Sequence, residues 1–369
     1  MISALKAFTD RFLGRGEATI TVPSFDGALK PNQFLDDAQV VARQERPDNL
    51  ARDGDRLLFS SGPTLYALKM DAVAESMTEV ARFDSEITAL ASDGAGGYAV
   101  GLDSGEIRFG GALGGVRPVK PDAPIAPTAL AFGALGRLYI CSGSATNRPS
   151  DWKRDLVERN ASGSVWSFDL SSGRGACLAE GLAFPYGIAL TEDGEALLVA
   201  ESWRHRLVLI GVQSSSKNGA RNIVLDDLPG YPARIASAPD GYWLAIFAPR
   251  GQLIEFVLRE SEYRRRMMET IAPEFWMVPA LSSGRSFLEP LQLGAIRTMG
   301  ALKAWAPTRS YGLLVHLDDR FRPTGSAHSR ADGNRHGITS CLQWGERVLA
   351  ASKGGDLVLS LGVDQFMGD

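Results

Sequence analysis

Short apolar runs and turn-forming residues alternate along this chain in a unit that recurs. In residues 181–210, the apolar runs 187–190 and 196–200 flank an Asp193-Gly194 turn and predict a β-hairpin, and the run 206–210 predicts a third strand. One such unit cannot bury both of its faces by itself. The units must therefore pack against one another.

The same order of strand, turn and strand appears six times. The units begin near residues 47, 86, 127, 185, 232 and 338. In the fifth unit, the apolar runs 242–247 and 252–258 are both interpreted as strands. Strand-rich repeats of this length predict an all-β fold, a six-bladed β-propeller with short helical insertions.

Two segments interrupt the repeat, at about residues 143–161 and 260–309. The first predicts a short helix with Trp152 and Leu156 on one side, and the second predicts helices at about 262–271 and 291–305. A propeller core requires neither segment. We expect both to lie over one face as lids of a pocket, and the alternative is that they only add packing.

The propeller is assigned to residues 45–369, and residues 1–44 are interpreted as an N-terminal helix and a lead-in that closes the ring. Closure matters because an open ring leaves two unpaired faces. The spacing of Ile2, Leu5, Phe8 and Phe12 predicts the helix, which packs on the propeller or attaches to a membrane surface. No run of about 18 apolar residues occurs, so no membrane-spanning segment is expected.

Charge and cysteine content narrow the function classes. The 369 residues have a formal net charge of −4, with neither sign collected into a long run, which argues against a nucleic-acid partner. The three cysteines include no C-x-x-C pair, which favours buried reduced thiols and a cytoplasmic location. No G-x-S-x-G elbow, phosphate-binding loop, dinucleotide fingerprint or H-E-x-x-H motif is present.

Residues 162–258 contain four strings that are specific in combination: SGSVWSFD at 162–169, GLAFP at 181–185, VAES at 199–202 and LPGYP at 228–232. With them the sequence resembles the strictosidine-synthase-like branch of the superfamily that includes gluconolactonase (senescence marker protein) and paraoxonase. The resemblance implies a six-bladed propeller with a small-molecule pocket at the mouth of its central channel.

The resemblance also implies where a divalent cation would bind in such a channel and activate water against a lactone or ester carbonyl. The acid expected from the first blade is Asp48 here, but the expected Asn is Tyr186 and the expected later acid is Ala233, followed by Arg234. Two oxygen ligands are thus replaced and a guanidinium is added. We expect no resident cofactor, with calcium or another divalent ion held by Asp48 only if one is retained.

Arg234 has three interpretations: it replaces the cation by pairing with Asp48, it clamps a substrate carboxylate, or it forms a salt bridge without a ligand. The resemblance also places the catalytic Glu of true strictosidine synthases at about Ile338, so that chemistry is not expected.

The candidate residues follow from the starts of the inner strands and from the two insertions. The inner strands are expected to start at one end of the channel, at Asp48, Glu86, Thr128, Tyr186, Ala233 and about Ile338. The catalytic candidates are Asp48, Arg234 and His336, the last as a general base. The candidates for substrate binding are Tyr186, Glu86, Thr128, Trp152 and Trp276.

Three function classes remain open. The leading hypothesis is hydrolysis of a lactone or ester, which the resemblance implies. The alternative is a propeller that binds a small ligand, possibly an anion, without turnover. The third is a protein-interaction platform, because the fold alone does not choose among them.

Overall fold

The structure is a computed structural model that describes residues 22–70, 77–116, 119, 125–213, 221–284, 286, 288–290, 297–298, 301–306 and 308–366. The predicted helix at residues 2–12 lies outside these ranges. Six antiparallel sheets surround one axis as the blades of a β-propeller, which confirms the predicted fold.

Each blade is numbered in the order of its innermost strand. After strand β1 (Gln39–Arg43), blade one contains β2 (Pro47–Asp53), β3 (Arg56–Ser61), β4 (Thr64–Lys69) and β5 (Met77–Arg82). Blade two contains β6 (Ile87–Ser92), β7 (Gly97–Leu102) and β8 (Ile107–Gly111). Blade three contains β9 (Pro127–Gly133), β10 (Arg137–Ser142), β11 (Gly163–Asp169) and β12 (Gly175–Leu182).

The remaining blades follow the same plan. Blade four contains β13 (Pro185–Leu190), β14 (Ala196–Glu201), β15 (Arg206–Gly211) and β16 (Arg221–Leu225). Blade five contains β17 (Gly230–Ala238), β18 (Gly241–Pro249), β21 (Gly312–Leu317) and β22 (Pro323–Ser329), and the short strands β19 (Arg297–Thr298) and β20 (Ala301–Leu302) lie in its insertion. Blade six contains β23 (Ile338–Trp344), β24 (Arg347–Ser352) and β25 (Leu357–Gly362).

Helices occupy the lead-in and the insertions. The α-helices are α1 (Phe34–Asp37), α2 (Trp152–Glu158), α3 (Gln252–Arg259) and α4 (Ser261–Thr270). The 3-10 turns span Gly27–Leu29, Ala134–Gly136, Pro149–Asp151, Ser202–Arg204, Pro273–Phe275 and Val363–Phe366. No helix within the described ranges is long and apolar enough to cross a membrane.

The ring is closed by the lead-in. Strand β1 pairs antiparallel with β25, with Gln39 opposite Ser360, and supplies the outer strand of blade six. The last blade is thus completed by a segment that precedes the first blade in sequence. The backbone edge that an open blade would expose is paired.

Strand direction decides which connections reach the channel mouth. Each inner strand begins at the mouth and runs away from it, and the second strand returns antiparallel, as Asp48 opposite Ser60 and Pro185 opposite Glu201 show. The connections after second strands are therefore on the mouth side. Both insertions are such connections, between β10 and β11 and between β18 and β21.

Threonines near the starts of three inner strands link neighbouring blades. Thr88 Oγ1 donates to the Pro127 carbonyl at 2.6 Å, and Thr128 Oγ1 donates to the Pro185 carbonyl at 2.5 Å. Thr339 Oγ1 donates to the Asp48 carboxylate at 2.8 Å. Each bond gives an oxygen near the axis a donor from the adjacent blade.

The segment 252–258 was interpreted as the third strand of blade five, and this prediction is wrong. It lies in α3, whose buried side chains Ile254, Val257 and Leu258 share one helical face. The third strand is instead β21, every residue of which is buried. Apolar spacing in a run this short fits either element, and the partner surface decides between them.

The second insertion therefore begins at about residue 250, earlier than predicted. Its helices and the segment that follows them belong to the same apolar cluster as blades five and six. Met267 of α4, followed by Trp276 and Val278, shares this cluster with Trp243 and Ile338. The helix predicted at about 291–305 is not found at β19 and β20, which form a small antiparallel ladder. Residues 291–296 lie outside the described ranges.

Candidate functional site

The guanidinium of Arg234, from inner strand β17, lies at the centre of the channel. Its Nη1 donates to Asp48 Oδ1 at 2.9 Å and to the Thr339 carbonyl at 3.3 Å. Its Nη2 donates to the Thr88 carbonyl at 2.6 Å and to the Thr128 carbonyl at 3.2 Å. These partners belong to blades one, six, two and three, so one side chain from blade five joins four other blades.

Blade four meets the same group through Tyr186. The Arg234 Cζ atom lies 4.9 Å from the centroid of the Tyr186 ring, a cation–π contact. Gly187 allows this approach, because a Cβ atom there would lie 2.2 Å from the Ala233 carbonyl oxygen. With Tyr186, the Arg234 side chain contacts the inner strand of every other blade.

Asp48 is the anionic partner at the axis and is almost completely buried. Its Oδ1 accepts from Arg234, from Thr339 Oγ1 at 2.8 Å and from the Asn49 backbone N–H at 2.8 Å, and its Oδ2 accepts from Lys353 Nζ at 2.8 Å. Burial by itself raises the pKa of the Asp48 carboxyl, but Arg234 and Lys353 outweigh it and lower the pKa to about 2. Asp48 is therefore ionised at neutral pH.

The oxygens around Arg234 are of the kind that calcium prefers, one carboxylate and three carbonyls. The guanidinium nitrogens already lie within hydrogen-bond distance of all four oxygens. A divalent ion does not fit there, since it would share these ligands with a fixed positive charge. The described residues also contain no group of three or more His, Cys, Asp or Glu side chains suited to a metal.

Above this centre lies a cavity of about 300 Å³, which we call the mouth cavity. It is lined by Arg46, Asp48, Glu86, Ile87, Thr88, Pro149, Ser150, Trp152, Phe184, Tyr186, Trp203, Phe247, Leu281 and Lys353. One wall is aromatic, and the opposite side carries the charged residues. Because Arg234 closes the channel below, the cavity has a floor.

The aromatic wall is a packed set of rings. Phe184 stacks on Trp203 with centroids 4.4 Å apart, and Trp152 meets Phe247 edge to face at 5.5 Å. Tyr186 also meets Phe247 edge to face, at 5.9 Å. The rings therefore hold one another in fixed orientations and offer flat apolar faces to a ligand.

The polar side consists of two ion pairs. Asp48 and Lys353 form the inner pair, and Arg46 and Glu86 form a more exposed pair at 3.3 Å on the rim. Each pair has one positive and one negative charge. Asp48 also pairs with Arg234 beneath the cavity, so these five groups together carry a formal charge of +1.

Among the residues predicted for the site, Asp48, Glu86, Tyr186 and Trp152 line the mouth cavity. Arg234 lies beneath it. Thr128 is buried at the axis, where its carbonyl accepts from Arg234 and its hydroxyl donates to the Pro185 carbonyl.

The structure places the other predicted residues away from the cavity. His336 is buried, with Nδ1 2.8 Å from Ser310 Oγ and Nε2 2.8 Å from the Arg330 carbonyl, so neither nitrogen faces the channel mouth as a general base would. Burial lowers the pKa of His336. Trp276 is buried in the second insertion and donates Nε1–H to the Ile271 carbonyl, and Ile338 is fully buried and aliphatic.

The sequence did not predict several residues that line the mouth cavity, among them Trp203, Phe247 and Lys353. Phe247 lies near the end of β18, Lys353 directly follows β24, and Trp203 lies in the 3-10 turn after β14. Their common signal is position, since the ends of second strands reach the mouth. The residues predicted from the sequence lie instead near the starts of inner strands and in the insertions.

The chain is thus a six-bladed propeller with a closed channel and an aromatic cavity at its mouth. Residues 133–210 match the strictosidine synthase family. The chain is also similar to the adipocyte plasma membrane-associated protein of Danio rerio, with 32% identity over 171 residues, 42% of this chain and 41% of that protein. The match thus spans less than half the length of that relative. The predicted resemblance to strictosidine-synthase-like proteins is confirmed.

Two solved structures share the fold. Regucalcin from Agrobacterium tumefaciens, described as a calcium-binding protein, aligns with a TM-score of 0.53 and 12% identity, covering 88% of this chain and 93% of that one. A gluconolactonase from Xanthomonas campestris aligns with a TM-score of 0.54 and 13% identity, covering 89% and 90%. At such identities these alignments support the propeller fold alone.

The contacts of Arg234 predict strong coupling with Asp48. The variant Arg234→Met should lose about 3–5 kcal/mol of unfolding free energy, because it leaves a buried carboxylate and three carbonyls short of donors. The double variant Asp48→Asn/Arg234→Met should lose less than the sum of the two single losses. Urea unfolding of the four proteins measures this coupling.

The rim pair provides the control for that cycle. Arg46→Met and Glu86→Gln remove an exposed ion pair, whose coupling should stay within about 1 kcal/mol. Strictly additive losses for Asp48 and Arg234 would contradict a shared role at the axis.

The lowered pKa of Asp48 predicts how stability depends on pH. The folded-state pKa of about 2 lies below the ordinary value of 3.8, so the ionised carboxylate stabilises the fold above about pH 4, and this contribution is lost as pH falls towards 2. The loss should be about 2 kcal/mol in the unmodified protein. Asp48→Asn should be less stable at neutral pH and should lack this part of the acid dependence.

Unfolding free energies of both proteins at about pH 5 and about pH 2 give the comparison. Other acids, such as Glu255 with a pKa of about 2, contribute equally to both proteins and cancel in the difference. Parallel pH profiles would show that Asp48 has no such role.

Proposed function

We propose that this chain binds a small, mostly apolar organic molecule in the mouth cavity, without a metal ion at the channel axis. The observation that carries the proposal is a pocket with an aromatic wall above a floor closed by the Asp48–Arg234 pair. A concave apolar site with a few convergent polar groups is the usual form of a small-molecule site.

The size and shape of the cavity favour a compact, flat ligand. Its volume of about 300 Å³ is at the lower end of the range for small-molecule sites. Trp152, Phe184, Tyr186, Trp203 and Phe247 surround this space, and aromatic rings bury large areas with little conformational freedom to lose. An aromatic ring or a fused bicyclic group matches such a wall.

The polar side favours a ligand with a hydrogen-bond acceptor, neutral or singly anionic. Asp48 pairs with both Lys353 and Arg234, so the two ion pairs and Arg234 together carry a formal charge of +1. Lys353 Nζ has three N–H donors, and its only hydrogen bond within the described part of the chain is to Asp48. A remaining donor suits a carbonyl or ester oxygen. Arg234 is less suited, because its Nη atoms already make four hydrogen bonds.

Hydrolysis of a lactone or ester is the second candidate function. It is favoured by the position of Lys353, whose ammonium group could polarise a carbonyl bound in the mouth cavity. The state of Asp48, the buried carboxylate of the lining, counts against hydrolysis. Both oxygens of Asp48 are engaged and its pKa is about 2, far below the range useful for general base catalysis at neutral pH. Binding without turnover therefore accounts for more of the geometry.

Binding can be tested with a panel of small neutral aromatic lactones and aryl esters, followed by tryptophan fluorescence and calorimetry. At least one compound should bind saturably, and Trp152→Leu should weaken its binding roughly tenfold or more, because truncating a buried aromatic contact typically costs above 1 kcal/mol. Trp305→Leu is the matched control, since Trp305 is 68% exposed and outside the cavity lining.

The same panel separates the two candidates. Under the binding proposal, a chelator leaves affinity unchanged and the compounds are recovered intact. Product formation that is lost in Lys353→Met would favour hydrolysis over binding without turnover as the function of the mouth cavity. Equal affinity in the unmodified protein and in Trp152→Leu would show that the ligand binds outside the mouth cavity.

A further inference from the structure

A second cavity of about 210 Å³ lies on the outer side of Trp203, and we call it the side cavity. It lies between helices α2 and α3, beside the turn that follows β14. Its lining consists of Leu156, Arg159, Asn160, Ala161, Ala183, Trp203, Arg204, His205, Glu255, Leu258 and Arg259. Trp203 also lines the mouth cavity, so the two cavities share one indole as a wall.

Three guanidinium groups border the side cavity, those of Arg159, Arg204 and Arg259. Arg159 directly follows α2 as its C-terminal cap and has a left-handed backbone at φ 55°. Its side chain is exposed. No hydrogen bond or ion pair of its guanidinium occurs in the described ranges. Its charge acts on its surroundings, because burial and the nearby Arg159 together lower the pKa of Arg264.

Arg204 shares its carboxylate partner, Glu201, with a second arginine. Its Nη1 donates to Glu201 Oε1 at 2.8 Å, but Glu201 also accepts from Arg206 Nε at 2.6 Å and from the Ala183 backbone N–H at 2.8 Å. One buried carboxylate thus serves two guanidiniums. A positive charge remains at this edge of the cavity.

The carboxylate in the lining, Glu255, is committed to other partners. Its Oε1 accepts from the Tyr231 hydroxyl at 3.3 Å and lies 3.5 Å from Arg250 Nε and 3.4 Å from His205 Nε2. Burial alone raises the pKa of Glu255, but His205 and Arg250 lower it to about 2. These contacts hold the carboxylate of Glu255, and no ion pair joins it to Arg159 or Arg204 in the described part of the chain.

The carboxylate of Asp155, beneath the lining, is held by neutral donors. It accepts from Asn147 Nδ2 at 3.0 Å, Asn160 Nδ2 at 2.9 Å and Trp203 Nε1 at 2.8 Å. It fixes the shared indole and does not pair with Arg159 across the cavity.

We propose that the side cavity binds a small oxyanion, the phosphate or carboxylate group of a soluble metabolite, between Arg159 and Arg204. A planar guanidinium can donate two N–H groups to two oxygens of a phosphate or of a carboxylate and form charge-assisted hydrogen bonds with them. The apolar part of the lining, Leu156, Ala183 and Leu258, leaves room for a short carbon skeleton attached to the anion. This anion site is separate from the ligand site proposed in the mouth cavity.

The test uses inorganic phosphate and acetate as probes with the full chain. Thermal unfolding is followed in increasing probe concentration, with sodium chloride at matched ionic strength as the reference. Phosphate or acetate should raise the melting temperature saturably, and the stronger probe identifies the preferred anion. Arg159→Gln and Arg204→Gln should each weaken the apparent affinity about tenfold, the usual scale for losing one charge-assisted hydrogen bond.

Arg154→Gln is the matched control, because Arg154 lies on the same helix, is exposed and pairs with Glu158 outside the cavity. It should retain the affinity of the unmodified protein. Trp152→Leu should also retain it, which separates failure of this proposal from failure of the mouth-cavity proposal. Stabilisation no greater than that by chloride, or unchanged affinity in both Arg159→Gln and Arg204→Gln, would overturn the oxyanion site.

Discussion

The ring of inner strands brings carbonyl oxygens together at one axis, where the sheets offer them no partners. The Arg234 guanidinium supplies the missing donors, because it donates to three carbonyls and to Asp48 at once. Burying a charged pair is costly, and it is sustained only when its hydrogen-bonding capacity is nearly satisfied. Four hydrogen bonds, the Tyr186 ring face and the second cation at Lys353 meet that condition. Closure of the channel and the ionised state of Asp48 both depend on this cluster.

The closed axis also determines what the mouth of the propeller can offer a ligand. A channel blocked by Arg234 leaves a shallow chamber, and its walls come from the connections that return to this face: the turn carrying Trp203, the end of β18 with Phe247 and the insertion carrying Trp152. Trp203 then separates an aromatic cavity from one lined by three arginines. Two sites of different chemistry can therefore lie side by side on one face of the fold.

The blades could be predicted from sequence because the hairpin pattern repeats. Asp48 and Arg234 could be named as neighbours because both lie near the start of an inner strand, but the sequence leaves their pairing as one of three interpretations of Arg234. The helix at 252–258 could not be predicted, since a seven-residue apolar run fits both periods and only the surface of blades five and six decides between them. His336 and Trp276 look like surface residues of loops in the sequence, and their burial depends on distant contacts. Thr88, Thr128 and Thr339 occupy the same position in their units, a readable signal for the ties between blades.

We infer that a guanidinium, in place of a metal ion, holds the channel axis together. The decisive test is elemental analysis of the purified chain, combined with thermal unfolding in excess calcium and in excess chelator. We expect a substoichiometric content of divalent ions and the same melting temperature in both conditions, because the positive charge at the axis is covalently attached. One tightly bound divalent ion per chain, whose removal lowers the melting temperature, would show that a metal ion holds the axis instead.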